Sequence, residues 1–306
     1  MHAVLLGVFP VFALIALGWG LKKSGFLGPE QWRPVERLTY FVFYPGFLIP
    51  TIWSAEFSGL SAGAVGLATT SAAVLVSIVT VAMRPLIPLP GPAFTSVFQG
   101  VIRWNSFVFL PVAAAVFGQE GLALAAVAVG ALIPVINVAC VLVLSRWGEG
   151  QGTSLRMVLR ALWVNPILWA CAIGIALNLM GVPRLELIVA PIQLLGAGAL
   201  ALGLILAGVG LSFRASIDRP VTIALVSAFK LIVLPVLMWW LAGAFGGDAL
   251  ARGVTLLCGA APGAAASYVL ARHMGGDASL MSGIVAATTI ASAVTIPLLL
   301  IAFGYS

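Results

Sequence analysis

Long apolar runs without charged residues occupy most of the chain and restrict it to few folds. Each run is about 20 residues long, the length that a helix needs to cross roughly 30 Å of hydrocarbon. A transmembrane β-barrel would need alternating segments of about ten residues, and these runs are continuous. They predict an all-α integral membrane protein. Ten transmembrane helices are expected, at about residues 3–21, 35–53, 62–83, 94–118, 121–145, 161–180, 187–213, 220–243, 250–271 and 278–303.

The composition excludes most soluble functions. The chain is 62% hydrophobic and 8% charged, whereas a soluble domain carries about 25% charged residues. So few charges could not cover a soluble enzyme, a nucleic-acid binder or a disordered chain. The expected solvent is the lipid bilayer, and no nucleic-acid partner is expected.

The basic residues lie mostly on one side of the predicted membrane. Arg184 and Arg252 lie on the opposite side, and Arg103 and Lys230 lie within spans. Cytoplasmic loops collect Lys and Arg. We therefore expect a multi-pass protein of a bacterial inner membrane with both termini outside. The residues after odd-numbered spans are Lys22, Lys23, Arg33, Arg37, Arg84, Arg146, Arg156, Arg160, Arg214, Arg219 and Arg272.

A short motif repeats about half a chain length apart. Pro-x-Ala-Ala-Ala begins at Pro111 in span four and at Pro262 in span nine. Five spans per half is an odd number, so the second half must insert upside down. Inverted repeats with interrupted helices in matching positions are typical of secondary transporters. The predicted domains are a first repeat at 1–145, a cytoplasmic linker at 146–160 and a second repeat at 161–306.

Prolines and glycines predict that spans four and nine are broken and cross each other. A proline inside a helix removes a hydrogen bond and clashes with the preceding turn. In hydrocarbon, the freed backbone groups must find partners or line a cavity. Gly259 and Gly263 flank Pro262 and favour unwinding rather than a bend. The predicted structural crossover consists of Pro111, Pro262 and Gly259.

Arg103 lies deep in span four, where inserting a charge costs about 2.5–3.5 kcal/mol. All nine acidic residues lie in loops or at span ends. The expected counter-charge is therefore an anion supplied from solution. The alternative is an Arg103 that reaches the interface or pairs with backbone carbonyls.

Other polar residues within the spans form the rest of the predicted site. Each one alone is more typical of interhelical hydrogen bonding, but together they surround the two breaks. Lys230 could support a broken helix or contact substrate, and the sequence favours support; Thr288 is a second supporting residue. The predicted substrate-binding residues are Arg103, Asn105, Ser106, Pro111, Asn137, Gly263, Ser267 and Tyr268.

The sequence contains no enzymatic motif, so no catalytic residue, cofactor or metal site is expected. It lacks HExxH, a P-loop and a nucleophile elbow, and its histidines are His2 and His273. Cys140, Cys171 and Cys258 lie singly in apolar runs and are interpreted as small apolar residues. Without an ATP-binding motif, transport must use an ion gradient or the membrane potential.

An ordered series of short motifs resembles the auxin efflux carrier family, the bacterial relatives of plant PIN-formed auxin exporters. The resemblance covers nearly the whole chain. The motifs are 18–23 (GWGLKK), Tyr44-Pro45, 103–111 (RWNSFVFLP), Asn165-Pro166, Leu234-Pro235, 261–268 (APGAAASY), 275–277 (GGD) and Thr288-Thr289.

This resemblance implies an inverted five-plus-five repeat whose broken helices four and nine cross. Asn105, Pro111 and Pro262 match the crossover. Spans one, two, six and seven would form a scaffold, and spans three to five and eight to ten a mobile core that moves as an elevator. Homodimers and malonate-like or other dicarboxylate substrates are implied as well. The long cytoplasmic loop of plant members is reduced here to 146–160.

The expected function is secondary or potential-driven transport of small organic anions by elevator-type alternating access. Two alternatives stay open. One is a transporter of a neutral or cationic metabolite in which Arg103 is structural, and the other is a passive channel. A receptor is disfavoured because the short loops leave little signalling surface.

Overall fold

The computed structural model describes residues 2–55, 61–149, 163–211 and 219–305. This part of the chain is helical and contains no strand. Its helices are α1 (His2–Ser24), α2 (Pro29–Leu38), α3 (Tyr44–Trp53), α4 (Ala62–Ala82), α5 (Gly91–Ile102), α6 (Ser106–Trp147), α7 (Pro166–Leu179), α8 (Glu186–Ala197), α9 (Ala199–Val209), α10 (Pro220–Ala228), α11 (Leu234–Ala244), α12 (Ala249–Ala260), α13 (Ala266–His273) and α14 (Ala278–Ala302).

Several helical stretches are long and apolar enough to cross a membrane. In the described residues there are five: Ala62–Ala82, Gly91–Trp147, Glu186–Val209, Pro220–Ala244 and Ala278–Ala302. Helices α7 and α12 are apolar but shorter. In the ninth apolar run, the helix is divided into α12 and α13, and neither reaches the roughly 20 residues of a full crossing. The chain is a multi-pass membrane protein whose described residues are helical.

Two π-helical segments lie directly before prolines. The first π segment, Thr39–Phe43, joins α2 to α3, and the second π segment, Phe229–Val233, joins α10 to α11. Pro45 and Pro235 follow as second residues of the next helices. A proline lacks an N–H and crowds the carbonyl four residues earlier. The wider π turn relieves that crowding and keeps each pair of helices continuous.

The helices form two groups by packing. In the first group α1 lies along α9, and α3 lies against α7 and α8. Gly18 faces the backbone of Ile205, and Gly208 faces the backbone of Ile15, so α1 and α9 touch without intervening side chains. Small residues permit such close helix contacts in membranes. The second group contains α4 to α6 and α10 to α14.

Several boundaries differ from the sequence prediction. The helix that contains the second predicted span begins earlier, at Pro29, and continues through the first π segment into α3. Helix α6 extends through Trp147, two residues into the predicted linker, and the linker beyond Glu149 lies outside the described residues. The predicted loop between spans four and five is reduced to Gly118, whose φ of 65° only glycine adopts readily.

Candidate functional site

Two interruptions of helical geometry lie beside each other. The first interruption, residues 103–105, separates α5 from α6, and Arg103 is extended there (φ −80°, ψ 144°). The second interruption, residues 261–265, separates α12 from α13. The backbone N–H of Asn105 donates to the carbonyl oxygen of Pro262 at 2.8 Å. This hydrogen bond joins the two interruptions directly.

Asn105 organises the start of α6. Its side-chain Oδ1 accepts from the Phe107 N–H at 2.9 Å, and its carbonyl accepts from the Phe109 N–H at 3.0 Å. The residue is buried. It therefore caps α6 and directs the positive end of that helix toward the interruption.

Arg103 is half-buried, and its partner is neutral. Nη1 donates to Oδ1 of Asn137 at 3.2 Å. Tyr40 and Cys140 are its titratable neighbours. Within the described chain the single ion pair joins Arg33 to Glu30 on the surface. The positive charge at the first interruption is thus oriented by an amide and not neutralised by a carboxylate.

Thr288 fastens the second interruption to α14. The Gly263 N–H donates to Oγ1 of Thr288 at 3.0 Å, and that hydroxyl donates to the Ile284 carbonyl at 2.7 Å. The backbone at Gly259 runs close to α11: a Cβ there would lie 2.5 Å from the Cα of Pro235. These contacts fix the second interruption between α11 and α14.

The remaining predicted residues differ in their surroundings. Ser106 is half-buried as the first residue of α6. Pro111, which was predicted to break span four, is instead buried inside the same helix. Ser267 is fully buried, and its hydroxyl has no hydrogen-bond partner among the described residues. Tyr268 is 38% exposed, and Lys230 is only 1% exposed within the second π segment. Hydrogen bonds join Arg103 to Asn137, Asn105 to Pro262 and Gly263 to Thr288.

Sequence reasoning missed two polar residues at the first interruption. Gln99 lies one turn before Arg103 and is fully buried, and Trp104 lies within the interruption and is 7% exposed. Neither the Gln99 amide nor the Trp104 indole N–H has a partner among the described residues. A buried polar group without a partner is unfavourable by about 1–3 kcal/mol. A lone amide in the apolar run 91–102 was the available signal.

A cavity lies elsewhere, between α3, α8 and the second half of α6. Its volume is about 690 Å³. Charged residues in its wall are Glu120 and Arg184. None of the predicted substrate-binding residues lines it. Its lining was not predicted; the polar members are Thr51, Ser54, Gln119, Glu120, Arg184 and Gln193.

The sequence as a whole matches a known protein family. A family model described as "Membrane transport protein" matches residues 3–300. The chain belongs to this membrane transport family. The resemblance to auxin efflux carriers is thereby confirmed. An "Uncharacterized transporter" of Methanothermobacter thermautotrophicus is 27% identical over 295 residues, which cover 95% of each chain. The family is one of membrane transporters, so the cavity and the interruptions belong to a transport protein.

Proposed function

We propose that this transporter carries small organic anions, such as auxin-like or malonate-like carboxylates, by secondary transport. The observation that carries the proposal is the Asn105–Pro262 hydrogen bond between two interruptions, with the uncompensated Arg103 beside it. Interrupted helices whose positive ends face a common point provide a site for an anion within the membrane.

The side chains around the two interruptions favour the binding of an anion. Segments 91–117 and 249–273 contain no Asp and no Glu. They supply donors instead: the Arg103 guanidinium, the buried Ser267 hydroxyl and the N–H groups of Gln99 and Trp104. Helix N-termini at α6 and α13 add partial positive charge. A carboxylate would find both charge and hydrogen-bond donors here, whereas an amine would meet an unfavourable like charge.

The proposed architecture has ten crossings in an inverted repeat, with 1–145 and 161–306 as the two halves. In this proposal the first packing group (α1 to α3 and α7 to α9) would be the scaffold, and the second group would be the mobile core. The 690 Å³ cavity supports this division because α3 and α8 line one side and α6 lines the other. Elevator movement of the core past the scaffold would carry the bound anion between the two membrane faces.

The proposed setting is a homodimer in a bacterial inner membrane with both termini outside. Helix α8 supports a dimer through the scaffold because it turns large apolar side chains outward. Leu187 is 89% exposed and Leu194 is 79% exposed. A second copy or lipid would cover that face.

Flux into proteoliposomes tests the proposal. Purified protein is reconstituted, and uptake of labelled malonate and labelled indole-3-acetate is measured against amines and neutral metabolites under imposed potentials. We expect saturable carboxylate flux that is accelerated by carboxylate on the opposite side. An interior-negative potential would favour export of an uncoupled anion by about 2.3 kcal/mol per charge per 100 mV.

Two experimental results would contradict this proposal and favour a different function. Saturable flux of amines or neutral metabolites alone would favour a transporter in which Arg103 is structural. Carboxylate flux that rises linearly with concentration, with no acceleration by exchange, would indicate a passive channel.

A further inference from the structure

Lys230 is a lysine buried in the middle of a membrane-spanning stretch. It lies in the second π segment, near the centre of the apolar stretch Pro220–Ala244, and is 1% exposed. The anion site proposed above does not use it. A lysine in this position is rare because an isolated ammonium in an apolar interior is strongly unfavourable.

The helices around Lys230 provide no counter-charge. The second π segment packs against α5, α10, α11, α12 and α14. The sequences of these five helices contain no Asp, Glu or His, and their titratable residues are Arg252 and Cys258. In the described chain, no carboxylate lies within 4 Å of the Lys230 amine.

The two titratable neighbours have different relations to Lys230. The guanidinium of Arg252 stacks on the ring of Trp239, 3.6 Å from its centroid, and a positive charge cannot stabilise an ammonium. The other titratable neighbour is Cys258, whose thiol is buried in α12. Lys230 is therefore most easily buried as a neutral amine, a form that lysine side chains in protein interiors can adopt.

The position of Cys258 links Lys230 to the proposed anion site. Cys258 lies in the last turn of α12, which leads directly into the second interruption. A negative charge bound at that interruption favours the ammonium form of a nearby lysine, and the attraction is strong where water is excluded. Anion binding and proton binding would then reinforce each other.

We propose that Lys230 is the proton-binding site of the transport cycle. Its amine takes up one proton from water as a carboxylate binds, and it releases that proton to water on the other side as the carboxylate leaves. One N–H bond forms on Nζ and the same bond later breaks, so nothing is oxidised or reduced and the anion is chemically unchanged. Anion and proton cross together. This inference rests on the proposed anion transport.

Calorimetric binding of malonate tests the inference without any need for flux. Malonate is titrated into detergent-solubilised protein in two buffers of different ionisation enthalpy, at a pH where malonate is fully ionised. The difference in heat gives the number of protons exchanged on binding. We expect an uptake of about one proton per malonate in the unmodified protein. Lys230→Met and Lys230→Arg should bind malonate without proton uptake.

Lys23→Met is the matched control because Lys23 is an exposed lysine at the end of α1. It should take up protons as the unmodified protein does. Malonate binding by the unmodified protein without proton uptake would overturn the inference. Unchanged uptake in a folded Lys230→Met or Lys230→Arg variant would also overturn it. If Lys230→Met does not fold, the unmodified protein and Lys230→Arg decide the question.

Proteoliposomes containing a pH-sensitive dye separate this inference from the proposed function. Malonate entry with simultaneous acidification supports both. Malonate entry without acidification overturns the role of Lys230 and leaves anion transport in place. Absence of both binding and flux for malonate and indole-3-acetate would overturn the proposed function, and this inference with it.

Discussion

The Arg103 guanidinium donates to the side-chain oxygen of Asn137 at 3.2 Å, which ties the first interruption to the second half of α6. An amide can orient a guanidinium without cancelling its charge. A carboxylate at the same position would do both. This distinction separates an arginine that serves as structural support from one available to a ligand.

Removal of the guanidinium should weaken carboxylate binding. Hydrogen bonds to charged groups contribute about 1.5–3 kcal/mol, so we expect malonate affinity of Arg103→Ala to fall by roughly 10- to 150-fold. Calorimetric titration measures this. Arg37→Ala removes an exposed arginine from the end of α2 and should bind malonate normally. Equal affinity of Arg103→Ala and the unmodified protein would contradict the assigned role of Arg103.

Asn137→Asp should supply an internal counter-ion for Arg103. The new carboxylate competes with the ligand for the same guanidinium, so malonate affinity should fall about tenfold or more, because one close ion pair at low dielectric exceeds 1.4 kcal/mol. Asn137→Leu removes only the orienting hydrogen bond and should lose less affinity. Titrations of both variants check the order. A larger loss in Asn137→Leu would mean that orientation, not charge, limits binding.

Thr288→Val should destabilise the second interruption. The variant removes the acceptor of the Gly263 N–H, which would stay buried without a partner, at a cost of about 1–3 kcal/mol. Thermal unfolding in detergent measures the loss. Thr288→Ser keeps the hydroxyl and should retain most of the stability. Indistinguishable melting curves for Thr288→Val and Thr288→Ser would show that this hydrogen bond contributes little.

Gly259→Ala should disturb the contact between α12 and α11. Its Cβ would lie 2.5 Å from the Cα of Pro235, and backbone atoms cannot move aside as a flexible side chain can. We expect a loss of about 1–3 kcal/mol, as for other overpacked sites. Gly20→Ala is the control, because no heavy atom lies within 4 Å of its new Cβ. That variant should be neutral or more stable by up to about 1 kcal/mol, and an equal loss in both would remove the steric argument.

A cluster of residues that oppose helix formation lies at one of the two interruptions. Gly259, Pro262 and Gly263 lie together, and α12 ends at Ala260 beside them. In span four the predicted break at Pro111 lies inside α6, and the helix is interrupted earlier, where α5 ends at Ile102. A proline with two nearby glycines opposes helical hydrogen bonding within a few positions, which a sequence reveals directly, whereas a single proline such as Pro111 can lie within a helix.

Features made by distant segments could not be predicted in the same way. The 690 Å³ cavity combines residues near Thr51, Gln119 and Gln193, which no local pattern relates to each other. The unpartnered amide of Gln99 is visible only once the surrounding helices are in place. The π segments also depend on how each proline packs against the preceding helical turn. Pro111 lies within α6 without an adjoining π segment, so a proline alone does not predict one.

Gly118 alone has non-helical backbone angles within α6, so a single residue connects the two parts of this helix. Residues 106–117, which begin at the first interruption, are joined to the following segment without a flexible linker. A displacement of Asn105 would therefore pass through one residue to the segment that carries Asn137, whose side chain also contacts Arg103. Lengthening the connection with a few glycines would uncouple the two parts, so substrate exchange should slow while the empty protein keeps its stability.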